Sequence, residues 1–316
     1  SAGGYWERHC TQQLKSIGRV PVGPNWPSMF YHPARACTLM VYVDDFKMAG
    51  PPKAVADCWE DIRGVIELDP PEDVGRCLGC EHRVHEHVLS DGSSVRAIDW
   101  DMRDFIGQCV DLCKELASLP PDRPLRRVAT PYLAEPKHAA DDASQGGVLG
   151  KVALRVLMKT LYAARLARFD LLRPVGVLAK MVTRWNLQCD QRLHRLVCYM
   201  ESTQSCVMMG YIGDPLGSLE LRLYCDADFA GEKDSKSTSG VFEELAGPRS
   251  CFPLQARSTK QGSTAHCTPE AEIAALDEAV RTLGIPALDF WDVVRPPTSA
   301  AGPILVQCME DNTATI

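Results

Sequence analysis

The sequence contains no long uninterrupted apolar run. Nothing in it approaches the roughly 18 consecutive apolar residues that a membrane-spanning helix requires, which argues against a membrane protein. The opening residues SAGGYWERHC lack the basic segment followed by an apolar segment that marks a secretory signal. Gly-rich phosphate-binding loops and a Ser/His/Asp arrangement are also absent. We therefore expect an intracellular chain that is not secreted and that does not use phosphate-loop or serine-nucleophile chemistry.

Cysteine is plentiful, but it is too sparse for a disulfide scaffold. The 14 cysteines are scattered over 316 residues, which is below the density of small secreted proteins held together by disulfides. We interpret them as reduced intracellular thiols. The length favours about two domains, and the apolar share of 45% is that of an ordinary globular protein.

The net charge of −7 argues against a protein that coats nucleic acid non-specifically. Residues 151–200 nevertheless contain ten Lys or Arg and only two acidic residues. Within this segment Lys151, Arg155 and Lys159 recur at helical spacing and share one face. This face predicts local contact with the phosphates of a polyanion, and a solvated helix surface is the alternative.

The spacing of apolar and turn residues predicts a mixture of strands and helices. β-prone runs at 38–43 and 46–49 flank Asp44 and Asp45, which predicts a hairpin with the acidic pair at its turn. A proline-rich connector is expected at 119–147. The remaining predicted elements are helices at 53–68, 102–116, 148–165, 174–186 and 189–202, a helix from Pro269, and strands at 77–87, 95–100, 219–224, 240–245, 251–257 and 304–309.

Adjacent carboxylates at a turn repel each other unless a cation neutralises them, so Asp44 and Asp45 suit a divalent metal. An ordinary Asp-Asp turn is the alternative for the pair alone. The stretch TLMVYVDDFKMAG, however, resembles the copia-type reverse transcriptase signature, in which an apolar strand leads into YVDD and out into a strand that ends in Gly. The resemblance implies a right-hand polymerase in which Asp44 binds metal beside Asp45, with the other catalytic Asp upstream of Ser1.

Three further stretches extend this resemblance. RCLGCE is similar to the later palm segment built on LG-x-E, and Thr130-Pro131 is similar to the TP that precedes the thumb. The stretch RFDLLRPVGVLAKMVTRW resembles the RPD-led helix of the same connection. The resemblance therefore implies a palm remnant at about 1–118 and a connector with a helical thumb at about 119–218.

A second group of carboxylates consists of Asp226, Glu272 and Asp311. Asp226 and Asp311 each end a predicted strand, and Glu272 lies in the first turns of a predicted helix. Pro269 fits the first helical position with Thr268 as the cap, which would hold Glu272 on a rigid element. Clustered carboxylates that bind two Mg²⁺ can support phosphodiester hydrolysis. From spacing alone, solvated charges are the alternative.

The residues around these three acids resemble the copia-type RNase H domain. YCDADFAGEKDSKSTSG is similar to SDADWAG followed by KSTSG, TPEAEIAAL to TEAEYIAL, and CMEDNTA to CDNQSA. The resemblance implies that Asp226, in preference to Asp228, is the first metal ligand. It gives Glu272 the role of the family glutamate, leaves Glu270 as a first-turn charge, and makes Asp311 the third ligand.

The same resemblance implies a fourth carboxylate beyond Ile316. It also suggests Ser237, Thr238 and Ser239 as phosphate contacts, and a strand-entry turn is the alternative for them. The activities implied are RNA- and DNA-templated DNA synthesis by the parent Pol polyprotein and hydrolysis of RNA in RNA–DNA hybrids, with two Mg²⁺ or Mn²⁺ per site. The partners implied are hybrid and template–primer duplexes, dNTPs, integrase and the upstream palm and fingers, in cytoplasmic virus-like particles and the nucleus.

A cysteine and histidine cluster offers a different hypothesis. Soft ligands at the spacing of Cys77, Cys80 and His82, joined by Cys109 and Cys113, could hold a structural zinc ion. Reduced, partly buried cysteines are the alternative.

The sequence thus predicts an α+β chain with a partial palm, a helical thumb and an RNase H-like α/β domain at about 219–316 with a mixed sheet. Two other functions stay open. One is a decayed retroelement remnant that only binds nucleic acid. The other is a zinc-stabilised structural or interaction module.

Overall fold

Strands form two separate sheets in the computed structural model, which describes residues 2–120, 122, 124–133, 145–231, 235–296 and 298–313. The first is an antiparallel meander covered by helices α1 and α2, whose apolar faces meet it around Leu14, Leu39 and Ile62. Its elements are α1 (Ala2–Ser16), β1 (Val20–Gly23), β2 (Trp26–His32), β3 (Cys37–Tyr42), β4 (Asp45–Ala49) and α2 (Pro52–Arg63).

The hairpin predicted around the acidic pair is confirmed. Strands β3 and β4 pair in register from Thr38 opposite Ala49 to Tyr42 opposite Asp45, which leaves Val43 and Asp44 as a two-residue turn. Val43 takes a left-handed backbone conformation, with φ of 55°. The indole Nε1 of Trp6 donates to the Val43 carbonyl at 3.0 Å and so ties α1 to the turn.

The second sheet has eight strands in the order β12-β9-β10-β11-β8-β7-β6-β5. It is mixed, because β12 runs parallel to β9 while the other neighbouring strands are antiparallel. The strands are β5 (Arg76–Cys77), β6 (Cys80–Val88), β7 (Ser94–Asp101), β8 (Met208–Ile212), β9 (Glu220–Asp228), β10 (Thr238–Gly247), β11 (Ser250–Lys260) and β12 (Val306–Met309).

Four helices pack together beside the middle of this sheet. Their buried side chains, among them Ile106, Leu157 and Leu193, form one core with Trp100 and Met208 of the sheet. The helices are α3 (Arg103–Leu116), α4 (Gly150–Leu166), α5 (Leu172–Ala179) and α6 (Leu187–Ser202). The eight-stranded sheet and the core of the four helices both contain residues from either side of positions 118 and 218. The predicted domain boundaries at these positions therefore stay a prediction.

The other face of β9 is covered by α7 (Thr268–Ala279). Its small residues Ala271, Ala275 and Ala279 pack on Leu223, and this helix continues through the π-helical turn Val280–Gly284 into α8 (Ile285–Val294). Gly284 permits this close approach, because a Cβ there would lie 2.7 Å from a Leu223 methyl group.

Helix α8 joins the two sheets. The indole Nε1 of Trp26 donates to the Pro286 carbonyl at 2.6 Å, and the Asn25 amide donates to Asp289 at 2.6 Å. The first sheet is therefore attached to the C-terminal part of the chain.

The coarse prediction of an α+β chain with a mixed sheet and helices is confirmed. Several boundaries differ from the sequence prediction. The helix expected at 53–68 ends at Arg63 before Gly64, and the one expected at 174–186 begins at Leu172 and ends at Ala179. Elements that the sequence did not predict are α1, β1, β2, β8 and α8.

Candidate functional site

Acidic residues of the C-terminal part lie near the carboxyl ends of the paired strands β9 and β12. Parallel pairing of these strands ends with Met309 opposite Tyr224, and Asp311 and Asp226 each lie two residues beyond that pair along the chain. Parallel strands bring their carboxyl ends to the same edge, which is a common place for ligand sites in α/β proteins. Asp226 lies on a strand and Glu272 lies on a helix, as the sequence predicted.

Glu272 reaches this edge from the second turn of α7. It is 4% exposed, and the backbone N–H of Ala227 donates to its carboxylate. Its other oxygen, Oε2, is buried with no hydrogen-bond partner. A buried carboxylate oxygen without a donor is costly, so this atom needs a proton or a cation.

One detail of the predicted helix start is wrong. Thr268 is the first helical residue and Cys267 occupies the cap position, with no side-chain capping bond. Glu270 instead accepts a hydrogen bond from the His266 backbone N–H at 2.6 Å. Its first-turn position agrees with the expected role as a favourable charge at the helix N-terminus.

The electrostatics of the edge show which acids lie close together. Burial, followed by repulsion from Asp226, Glu310 and Asp311, raises the pKa of Glu272 to about 7. The Ala227 N–H acts in the opposite direction and lowers that pKa. Near neutral pH the Glu272 carboxyl is therefore poised between its protonated and ionised forms.

The acids do not converge into a closed ligand set. Side chains alternate along β9, so Asp226 shares a face with Tyr224, while Cys225 and Ala227 face α7 with Glu272. Within the described part of the chain, no group of three or more His, Cys, Asp or Glu is arranged to hold a metal ion. Like charges draw together only when a cation neutralises them. Hard oxygen donors and the unpartnered Glu272 oxygen fit Mg²⁺ or Mn²⁺.

Asp228 differs from Asp226 because its carboxylate already binds other groups of the protein. Arg173 of α5 binds the Asp228 carboxylate at 2.6 Å and the Thr238 hydroxyl at 2.7 Å, and the Thr238 N–H donates to the same carboxylate. Asp226 is exposed. Asp226 is therefore the more accessible of the two carboxylates, and its role as a metal ligand stays a prediction.

The three hydroxyl residues proposed as phosphate contacts are buried. Ser237 accepts from the Ala230 N–H, Thr238 accepts from Arg173, and the Ser239 hydroxyl accepts from Gln261 at 3.1 Å. These bonds use the three hydroxyls within the fold, so their role as phosphate contacts stays a prediction without support from this structure. They close the start of β10, as the strand-entry alternative suggested.

The hairpin acids Asp44 and Asp45 are both exposed at the tip of the first sheet. No other carboxylate in the described ranges joins them in a possible metal-binding group. The pair is thus placed as expected, and a complete polymerase site stays a prediction.

The basic helix face is partly used within the fold. Lys151 and Arg155 are exposed on α4, whereas the Lys159 ammonium donates to Gln108 at 3.2 Å and lies 5.1 Å from the centre of the Phe105 ring. Lys159 is therefore the least accessible of the three predicted phosphate contacts.

The proposed zinc ligands lie mostly in the core. Burial raises the pKa of the Cys80, Cys109 and Cys113 thiols to about 11 each in the metal-free chain. The His82 ring contacts the Gly75 carbonyl at 3.2 Å, and Cys77 is partly exposed. The arrangement supports reduced cysteines, and the zinc prediction gains no support from it.

Sequence reasoning missed Glu310. This residue lies beside Asp311 in the segment CMEDNTA, where the family pattern has a single acid, and that extra acid was the available signal. In the structure Glu310 contacts Cys225, with 3.6 Å between its Oε2 and the thiol sulfur.

No helix in the described part of the chain is long and apolar enough to cross a membrane. No protein-family model matches the chain, and no solved structure matches it. An alignment over 127 residues shows 35% identity to a Plasmopara viticola protein described as secreted RxLR effector protein 161, and it covers 38% of this chain and 81% of that protein.

Proposed function

The chain belongs to the same family as the Plasmopara viticola protein. We propose that the C-terminal part of the present chain is an RNase H-type nuclease. It would hydrolyse the RNA strand of RNA–DNA hybrids with Mg²⁺ or Mn²⁺. The observation that supports this most is Glu272, a buried glutamate with an unpartnered oxygen and a raised pKa beside three other acids. Perturbed carboxylates of this kind are frequent at catalytic sites.

The residues have separable tasks in this proposal. Asp226 and Asp311 are exposed at the strand ends, where an extended nucleic acid strand can approach them. Glu272 is fixed by the Ala227 N–H and by burial, so it can hold a cation in a constant position. When bound, divalent metal supplies positive charge that activates water and stabilises the leaving 3′ oxygen.

Glu272 also makes the site dependent on pH. Its carboxyl must lose a proton to bind a cation, and the neighbouring acids oppose that loss. Cation binding should therefore strengthen as pH rises through about 7.

DNA synthesis is proposed only for a protein that supplies the rest of the polymerase site. Asp44 and Asp45 contribute one acidic turn, and two-metal transfer needs a further carboxylate beside them. In this proposal the hairpin belongs to a palm, α4 to α6 form the thumb, and the partners are template–primer duplex and dNTPs.

A second candidate is a binding module without catalysis. The Plasmopara viticola protein is described as a secreted effector, and the four acids of the edge do not form a closed ligand set. A remnant that retains the fold and binds nucleic acid or a host component agrees with both observations. Its site of action would then be outside the producing cell, whereas the nuclease proposal places it in cytoplasm and nucleus.

A cleavage assay separates these functions. The chain is incubated with RNA–DNA hybrid, RNA duplex and DNA duplex, with Mg²⁺ or with EDTA. We expect cleavage only of the RNA in the hybrid and only with metal. Asp226→Asn should abolish it, because an amide lacks the negative charge that holds the cations.

Asp277→Asn is the matched control, since Asp277 is an exposed acid on α7 that pairs with Arg281. It should leave cleavage unchanged. Hybrid binding without cleavage, under conditions that keep the chain folded, would favour the binding module.

A further inference from the structure

Two buried cysteines meet at the interface between β3 of the first sheet and helix α2. Cys37 precedes Leu39 by two residues on β3, and Cys58 precedes Ile62 by one turn of α2. Leu39 and Ile62 belong to the core between this helix and the sheet, so the periodicity of both elements directs the thiols to the same interface. Both thiols are free, and they are close enough for a side-chain hydrogen bond between them. A disulfide would need their sulfurs to approach to about 2 Å.

Arg35 contacts both thiols and distinguishes between them. The Cys37 thiol donates to the Arg35 carbonyl at 3.4 Å, whereas Nη1 of Arg35 donates to the Cys58 sulfur at 3.7 Å. Burial, followed by the neighbouring Cys58, raises the pKa of Cys37 to about 11, so Cys37 keeps its proton near neutral pH. Cys37 is thus the hydrogen-bond donor and Cys58 the acceptor, which is the arrangement of a thiol beside a thiolate.

A buried arginine beside the two thiols has unpartnered donors. Arg19 is 2% exposed, and its Nε and Nη1 have no hydrogen-bond partner in the described part of the chain, while its Nη2 lies 3.5 Å from the Met48 sulfur. Burial lowers the pKa of Arg19, and Cys58 is the neighbour that opposes this most strongly. Arginine stays protonated in proteins, so a negative charge on Cys58 would stabilise the buried guanidinium. A nearby cation in turn favours the thiolate form of a cysteine.

One ion pair connects the thiols with the protein surface. The Arg35 and Asp61 side chains are 32% and 39% exposed and lie 2.6 Å apart. Nη1 of Arg35, which binds Asp61, is also the atom that contacts the buried Cys58 sulfur. A small oxidant therefore reaches Cys58 once these two side chains move, without displacement of α2.

We propose that Cys37 and Cys58 form a redox-active pair that a peroxide converts into a disulfide. The Cys58 thiolate attacks one oxygen of hydrogen peroxide, the O–O bond breaks, and hydroxide leaves, which oxidises Cys58 to a sulfenic acid. The Cys37 thiol then attacks the Cys58 sulfur, the S–O bond breaks, and the hydroxide leaves as water with the proton of Cys37. The two cysteines together lose two electrons, and the peroxide gains them. Because the pair lies in the first sheet, the proposed nuclease residues take no part.

The test treats the reduced full chain with hydrogen peroxide, blocks the remaining thiols with N-ethylmaleimide, and locates disulfides by mass spectrometry after digestion without reductant. We expect a link between Cys37 and Cys58 that dithiothreitol removes. Cys109 and Cys113 are the internal control, because they are buried one helical turn apart on α3, and they should stay reduced. A folded chain in which Cys37 and Cys58 are oxidised no faster than this control pair would overturn the proposal.

Single cysteine variants separate the two roles. Cys37→Ala lacks the second thiol, so peroxide should leave Cys58 with added oxygen, which mass spectrometry detects. Cys58→Ala should leave Cys37 unoxidised, because Cys37 is protonated near neutral pH. Added oxygen on Cys37 in Cys58→Ala, with none on Cys58 in Cys37→Ala, would overturn the assignment of Cys58 as the attacking thiolate.

The role of Arg19 is tested by removal of its charge. Arg19→Met should slow formation of the disulfide by about tenfold, the change in thiolate fraction for one pKa unit, and Arg19→Lys should react faster than Arg19→Met. Arg63→Met is the matched control, since Arg63 is an exposed residue of α2 that pairs with Glu60, and it should react at the wild-type rate. If Arg19→Met does not fold, judged by circular dichroism, Arg19→Gln replaces it. A wild-type rate in the folded neutral variant would overturn the role of Arg19.

Discussion

The two acidic sites of this chain carry unfavourable energy in different forms. At the hairpin the acids are exposed, and the unfavourable feature is the backbone of Val43, a β-branched residue with φ of 55°. At the β9–β12 edge the feature is electrostatic, because burial and the charges of three other acids disfavour the ionised form of Glu272. Both forms are frequent at functional sites.

This difference indicates which of the two sites already has, within this chain, the groups that could bind a ligand. A buried carboxylate that lacks a donor must be satisfied by a ligand or by a proton, and the acids that would share a ligand are beside it. The exposed carboxylates of Asp44 and Asp45 can accept hydrogen bonds from water, so they do not require a ligand. The edge can therefore be tested in the chain as it is.

The largest expected effect is on hybrid cleavage, which substitution at one of the two sites should abolish and substitution at the other should leave unchanged. Asp226→Asn should reduce hybrid cleavage to background, while Asp44→Asn should leave it at the wild-type level. The reason is that the hairpin acids lie in the other sheet and join no metal-binding group with the edge acids among the described residues. Cleavage rates of both variants on one hybrid substrate give the comparison. Loss of cleavage in Asp44→Asn would contradict the independence of the two sites.

The next effect concerns the pH dependence of stability. The Glu272 pKa is raised from an ordinary value near 4.5 to about 7, so ionisation in the folded state costs free energy. The stability associated with the protonated form is complete below pH 4.5 and is lost as pH rises through about 7. At about 1.4 kcal/mol per pKa unit the loss is at most about 3 kcal/mol.

Glu272→Gln should remove this loss. Urea unfolding should show the variant more stable than wild type at pH 8 by up to about 3 kcal/mol, with the difference shrinking towards pH 5. Saturating Mg²⁺ should stabilise wild type more at pH 8 than at pH 5.5. Equal pH profiles for the two proteins would show that Glu272 ionises freely.

Much of the C-terminal part could be predicted from local sequence. Strands alternate clearly in β9 and β10, and Pro269 marks the start of α7. The strand position of Asp226 and the helix position of Glu272 were also predicted from motif context. The features that could not be predicted depend on contacts between residues that are distant in the sequence. Strand β8 lies between β7 and β11, which are distant from it in sequence, and Thr238 and Ser239 are bonded to Arg173 and Gln261 from other parts of the chain.

Glu310 was missed for a related reason. The surroundings of Glu310, including its contact with Cys225, depend on how β12 pairs with β9, and strand pairing is a property of the whole sheet. Likewise, the equal spacing of Lys151, Arg155 and Lys159 hides the contact of Lys159 with α3.

That contact gives a smaller, graded prediction. If the basic face binds duplex, replacing Lys151 and Arg155 with Gln should lower the slope of log affinity against log salt by about one unit per lost contact. Lys159→Gln should lower it by less, since its ammonium already contacts Gln108 and the Phe105 ring. Fluorescence anisotropy of a labelled hybrid at several salt concentrations measures the slopes. An unchanged slope in the double variant would mean that this face is only solvated.

The smallest expected effect tests the strain at the hairpin. Glycine adopts positive φ without the steric cost that a β-branched side chain incurs, and Val43 is exposed, so little packing is lost. Val43→Gly should therefore stabilise the chain by roughly 1 kcal/mol, less the added freedom of glycine in the unfolded state. Val41→Gly is the control, because Val41 is buried in β3 and its loss should destabilise. Urea unfolding at pH 5, where most of the Glu272 carboxyl is protonated, isolates the effect. Destabilisation by Val43→Gly would show that the turn gains more from the Val43 side chain than its backbone loses, and the contrast between a strained hairpin and a charged edge would no longer hold.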